Sequence, residues 1–176
     1  NDPKGKNFYI LNGLSQDEQI NQCATCHARR VKLTPNFEPG EKFEDQYMVQ
    51  NLTTNYYHGD GQIMEEDFVL GSFMQSKMYE ARVMCSNCHD PHSAELKVPE
   101  QAVCAQCHIP TEYAPKNHTF HEAGSEASKC TTCHMPETTY MQVDPRRDHS
   151  WQIPRPDLSK HINTPNVCTD CHNAES

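Results

Sequence analysis

Cys85-Ser86-Asn87-Cys88-His89-Asp90-Pro91-His92 and, after a gap of 14 residues from His89, Cys104-Ala105-Gln106-Cys107-His108 decide how this chain is read. The same arrangement recurs as Cys23-Ala24-Thr25-Cys26-His27, Cys130-Thr131-Thr132-Cys133-His134 and Cys168-Thr169-Asp170-Cys171-His172. All ten cysteines fall in these five motifs and none is left over. Residues three apart lie on one side of a helical turn. Two thiols so placed reach the two vinyl groups of one porphyrin, and the next imidazole reaches its iron. That is the spacing of c-type haem attachment. Zinc sites pair CxxC motifs without requiring a His directly after each pair. A disulfide scaffold leaves the five histidines unexplained, and thioredoxin-like chemistry needs a βαβ setting that the sequence lacks. The cofactor expected is therefore five haems c, with His27, His89, His108, His134 and His172 as proximal ligands.

Composition points the same way. Leu, Ile, Val and Phe together number 27 of 176 residues, about 15%, and mean hydropathy is −0.85. That is below the roughly 20% at which side chains alone build a core, so cofactors or cross-links must supply the interior. A net charge of −9 disfavours nucleic acid, whose phosphates need a basic face, and anionic membrane surfaces. No apolar run approaches the ~20 residues of a membrane span; Asp67-Phe68-Val69-Leu70 is soon broken by polar residues. The chain starts at Asn1, which reads as a mature processed form or a fragment.

Six histidines lie outside the motifs: His58, His92, His118, His121, His149 and His161. Five irons need five further ligands, so supply exceeds demand by one. Imidazole binds iron strongly, and the seven methionines rank below it. His92 stands three residues after His89. Both cannot bind one iron from so short a segment, so His92 is expected to reach a neighbouring haem.

The gaps between motifs are uneven, at 57, 14, 21 and 33 residues, with no repeat beyond the motif. Each motif is expected at the end of a short helix. Ser15-Gln16-Asp17-Glu18 reads as a capping box for a helix running into the first motif. Pro99 suits the first position of a helix into the third, and Thr164-Pro165 gives a cap-then-Pro start for the fifth. The run from about Glu65 to Arg82 predicts a longer helix with Phe68, Val69, Leu70, Phe73 and Met78 on its apolar face. Twelve prolines argue against much sheet, and the segments Pro35–Pro39 and Pro145–Pro156 read as extended loops. Asp60, Glu65 and Glu66 match no calcium loop and read as a solvated acidic patch. The fold class expected is mainly α with much irregular loop and little or no sheet, in a single domain over 1–176. Lobes 1–82, with the first haem, and 83–176, with the other four, are its natural division.

From Cys130 onward, the motif with Met135-Pro136, then Tyr140-Met141-Gln142-Val143-Asp144-Pro145-Arg146-Arg147-Asp148-His149-Ser150, Pro154-Arg155-Pro156-Asp157-Leu158-Ser159 and Thr164-Pro165-Asn166-Val167-Cys168 resembles one family. It is similar to the bacterial multihaem cytochromes c with doubled CxxCH motifs, relatives often fused to tetratricopeptide repeats. The likeness extends upstream through Tyr57-His58-Gly59-Asp60-Gly61, Gly71-Ser72-Phe73-Met74-Gln75-Ser76-Lys77-Met78 and Cys85 to Ser93. It implies a multihaem cytochrome c fold, covalent haem, export to the periplasm or cell exterior, and a redox role. It also implies His58, His92, His118, His121 and His149 as distal ligands, with His161 as the spare. Family members commonly carry more motifs upstream and helical repeats downstream, so this chain reads as a short carrier, a processed product or an excised domain.

The function these expectations converge on is electron transfer, without catalysis, through five closely spaced haems. Iron held by two histidines has no open position and a low potential. The partners expected are redox proteins, and end-to-end contacts that do not close would continue the path into a homopolymer. The alternative is a reductase of a small nitrogen or sulfur oxyanion at one open haem, with Arg146, Arg147 and His149 over its face. Arginines beside haem propionates explain the same residues more simply.

Overall fold

The computed structural model describes residues 13–35 and 40–173. The chain opens with helix α1, Gln16–His27, and the expected box closes its start. Ser15 accepts from the Glu18 amide at 3.3 Å, and the Glu18 carboxylate accepts from the Ser15 amide at 2.8 Å. Two of the four unpaired donors of a helix start are thereby satisfied. The last turn of α1 is the first cysteine motif.

The core beside α1 is small. Ala24 and Ala28 pack on Phe43 and Tyr47, with Val49 and Leu70 at the edge. Phe43 opens the short helix α2, Phe43–Gln46, and its ring stacks on Tyr47 at 4.9 Å. Tyr47 begins strand β2, Tyr47–Val49, antiparallel to β1, Arg30–Lys32. The Arg30 guanidinium lies over the Tyr47 ring.

The helix expected over 65–82 is two short ones, α3, Leu70–Met74, and α4, Lys77–Glu80. Ser76 divides them. Its hydroxyl donates to the Phe73 carbonyl at 2.6 Å and accepts from the Tyr79 amide at 3.0 Å. A side chain that offers the backbone these partners ends one helix and caps the next. Phe73 stays buried, edge-on to Tyr79 and Trp151. Phe68 lies just before α3 with φ +60° and bridges back to Ala28.

Helices α5, Cys85–Cys88, α6, Glu100–Ala105, and α7, Cys130–His134, each carry or enter a cysteine motif. Pro99 sits one place before α6, as its cap. A second antiparallel ribbon follows α7, from β3, Glu137–Tyr140, and β4, Asp144–Arg147. Sheet is therefore present, as two two-stranded ribbons among the described residues, where the sequence led to little or none. Met141 and Gln142, at φ +51° and +66°, turn the second ribbon. Mirror-type turns match strand twist but usually use Asn-Gly or Asp-Gly, so Met-Gln gave no signal.

The stretch read as loop over 145–156 also carries structure. Pro145 lies in β4 opposite Thr139, and Pro156 is the first residue of helix α8, Pro156–Ile162. Of the proline loop at 35–39, residues 36–39 lie outside the described residues. Before the fifth motif, Asn166 rather than Thr164 is the cap, accepting from the Cys168 amide at 3.1 Å. The turn it starts is a 3-10 helix, Val167–Asp170.

Gly71 permits one close approach on which this frame depends. A Cβ there would meet the Tyr57 hydroxyl at 2.3 Å and Leu52 Cδ2 at 3.3 Å. Tyr57 is 4% exposed and has no room to retreat. Gly71→Ala is expected to destabilise the protein by about 1–3 kcal/mol through overpacking, read as a lowered Tm. An unchanged Tm would show that Tyr57 is not seated on α3.

Candidate haem-binding frame

Each cysteine motif forms one helical turn. The histidine amide bonds to the carbonyl of the first cysteine in the second, third and fifth motifs, at 2.9, 2.9 and 2.8 Å (His89 to Cys85, His108 to Cys104, His172 to Cys168). The first and fourth motifs lie within α1 and α7. This local bond places both thiols and the imidazole on one side of the turn, as a macrocycle held by two thioethers and one axial nitrogen requires. No two of the ten cysteines form a disulfide.

Three motif histidines face a second imidazole from a distant segment. His89 faces His149 with ring centres 6.3 Å apart. His134 faces His118 at 5.9 Å, and His172 faces His121 at 5.9 Å. Two metal–imidazole bonds of about 2 Å, with about 1.1 Å from each nitrogen to its ring centre, span about 6.2 Å. The three ring-centre separations match that span.

The other ring nitrogens fit that use. His149 Nδ1 lies 2.9 Å from the Arg147 carbonyl, and His134 Nδ1 lies 2.9 Å from the Gln152 carbonyl. A carbonyl can only accept, so Nδ1 carries the proton and Nε2 keeps its lone pair for a metal. Burial lowers the His149 and His89 pKa values, which favours the neutral, ligating form. His121 Nδ1 is buried with no hydrogen-bond partner. Two opposed imidazoles leave the equator of a six-coordinate ion to other donors. Among the described residues no cluster of three His, Cys, Asp or Glu side chains gathers to supply them, whereas a tetrapyrrole does so by itself.

The remaining histidines form no such pair among the described residues. His27 lies close enough to His89 and His149 to act on both electrostatically. The His108 ring meets the edge of Tyr113, which meets the edge of His118. His92 is exposed, its amide held by Asp90 at 2.8 Å. His58 is half-buried and shares an open groove with Lys160, Asn163 and Asn166, while His161 is exposed on α8. No second imidazole faces His27 or His108 among the described residues.

Two side chains that the motif reading passed over belong to this frame. Tyr113 links the rings of His108 and His118. Trp151 lies edge-on to His149 at 5.2 Å and to Phe73 at 6.0 Å. Its φ of +45° is a strained conformation for an aromatic residue, costing of order 1–3 kcal/mol and tolerated where surrounding contacts fix it. Its being the only tryptophan, two places from His149, was the available signal.

The arginines near His149 already have partners. Arg146 is paired with Glu66 at 2.5 Å and Asp144 at 2.6 Å, and Arg147 with Glu100 at 3.1 Å and Glu137 at 3.4 Å. Glu66, read from sequence as part of a solvated patch, is thus half-buried in an ion pair.

Residues 79–113 match the family described as "Doubled CXXCH motif". That stretch holds the second and third of the five motifs; doubled motifs of this kind mark multihaem c-type cytochromes, whose cofactor is haem c. The particular likeness is to the solved structure titled "Crystal Structure of Outer Cell Wall Cytochrome OcwA", with a TM-score of 0.68 and 18% identity. That alignment covers 99% of this chain and 52% of the other, so this chain spans about half the length of OcwA. No curated protein matches the chain.

The seam between the first two motifs rests on Gln19, which is 1% exposed and accepts from the Ser86 amide at 2.9 Å. Gln19→Ala leaves that amide without its partner. It is expected to cost about 1–3 kcal/mol, measured by denaturant unfolding of the haem-loaded protein. A change within error would mean that water takes over the bond.

Proposed function

We propose that this chain transfers electrons through five covalently attached haems c and has no catalytic site of its own. The observation that carries this reading is the opposition of His89 to His149, His134 to His118 and His172 to His121 at about 6 Å. Bound haem supplies a one-electron Fe(III)/Fe(II) couple whose potential is low when both axial ligands are imidazoles. In this reading Cys23, Cys26, Cys85, Cys88, Cys104, Cys107, Cys130, Cys133, Cys168 and Cys171 form the thioethers. His27, His89, His108, His134 and His172 are the proximal ligands. His149, His118 and His121 close the axial positions of the second, fourth and fifth motifs. His58 and His92, with His161 as the spare, are then the candidates for the first and third.

The residues do three things. The cysteines fix each macrocycle, the paired imidazoles block substrate from the iron, and the carbonyls of Arg147 and Gln152 hold the rings in the ligating tautomer. The reductase alternative needs cationic side chains free to meet an oxyanion. Arg146 and Arg147 are each engaged by two carboxylates, which favours the carrier. Export to the periplasm or cell exterior belongs to this reading, because haem c is attached outside the cytoplasm. So do redox protein partners, and continuation of the path end to end in a homopolymer.

A pyridine haemochrome assay on the exported protein is expected to give five haems per chain. A colourless folded protein would overturn the reading. His149→Ala, His118→Ala and His121→Ala are each expected to turn one fifth of the iron high-spin in electron paramagnetic resonance, and added imidazole to reverse it. A fully low-spin spectrum in all three would show that these rings are not ligands.

A further inference from the structure

Three packing contacts join elements that carry cysteine motifs, and each joins motifs that are successive in the sequence. Helix α1 packs on α5, α6 on α7, and α7 on the 3-10 turn of the fifth motif. The amide bond from Ser86 to Gln19 ties the second motif to α1, and that from Cys130 to Gln101 at 3.3 Å ties the fourth to α6. Between the second and third motifs the chain folds back at once. His89 bridges to Leu96, and the Lys97 amide donates to the Cys88 carbonyl at 2.9 Å. Pro99 then starts α6.

The thiols repeat this order. Cys23 interacts with Cys85, Cys88 with Cys107, Cys104 with Cys130, and Cys133 with Cys168 and Cys171. In the second and fourth motifs both cysteines are half-buried, in the first and third one of the two (Cys26 and Cys107) is exposed, and in the fifth both are.

We propose that the five attachment motifs stand in space in the order in which they stand in the sequence, so that the first and fifth are the two ends of the series. The inference rests on the motifs carrying haem, as proposed above. Each cysteine anchors one edge of a macrocycle, so neighbouring thiols bring neighbouring macrocycle edges together. Donor and acceptor then meet the chain beside α1 and beside the 3-10 turn after α8, and the third motif is the step that every electron between them must take.

Anomalous scattering at the iron edge, from crystals of the haem-loaded protein, tests the order directly. Five iron peaks are expected. The nearest iron to that of the first motif should be that of the second, and so on to the fifth. Five peaks in any other order overturn this inference and leave the haem reading intact, whereas absence of iron removes both. Solution redox coupling supplies a second test. His108→Met is expected to raise the potential of the third haem and to shift the haem-methyl resonance titrations of the second and fourth haems more than those of the first and fifth. A larger shift at the first or fifth also overturns the order.

Discussion

Three pairs of imidazoles opposed at about 6 Å are the contacts around which this fold is arranged. His89 and His149 are sixty residues apart, His89 just after α5 and His149 two places after β4, and the two elements share no sheet. In the haem reading proposed above, one metal held by both rings would join them where side-chain burial does not. Free energy of metal binding of this kind is free energy of folding. It explains how a chain with about 15% Leu, Ile, Val and Phe holds a defined structure around a core as small as Ala24, Ala28, Phe43 and Tyr47.

The local parts of this arrangement were legible in the sequence. The Ser15–Glu18 box, the turn at each motif and the approximate start of α6 all depend on residues within four places of one another. The distal pairings were not legible. Six spare histidines fit five positions in many ways, and only the folded chain brings His149 to the second motif, His118 to the fourth and His121 to the fifth. The long helix read over 65–82 failed for a short-range reason. Its apolar spacing was suitable, but the Ser76 hydroxyl competes for the backbone at its middle. The ribbons failed for another. Strands of three or four residues containing Arg, Lys and Pro show no alternation, and the turn that makes the second one uses Met141-Gln142.

The same constraint accounts for the buried amides. A chain made largely of loops and single turns carries many backbone donors and acceptors with no ladder to satisfy them. Glutamine, with both functions on a flexible stem, meets that need at long range. Gln16 donates to the carbonyls of Tyr79 and Val83, Gln62 to Pro165, Gln75 to Gly61 and Gln152 to Asp60. Half of the buried face of α1 is polar, with Gln16 and Gln19 beside Ile20 and Ala24, and Gln16 and the Gln19 side-chain carbonyl are hydrogen-bonded there. Leucine there would bury more apolar area and strand the amide of Ser86 and the carbonyls of Tyr79 and Val83, and leaving such groups unpaired costs about 1–3 kcal/mol each. Gln19 and Gln101 thus tie the turns of successive motifs together, accepting from the Ser86 and Cys130 amides.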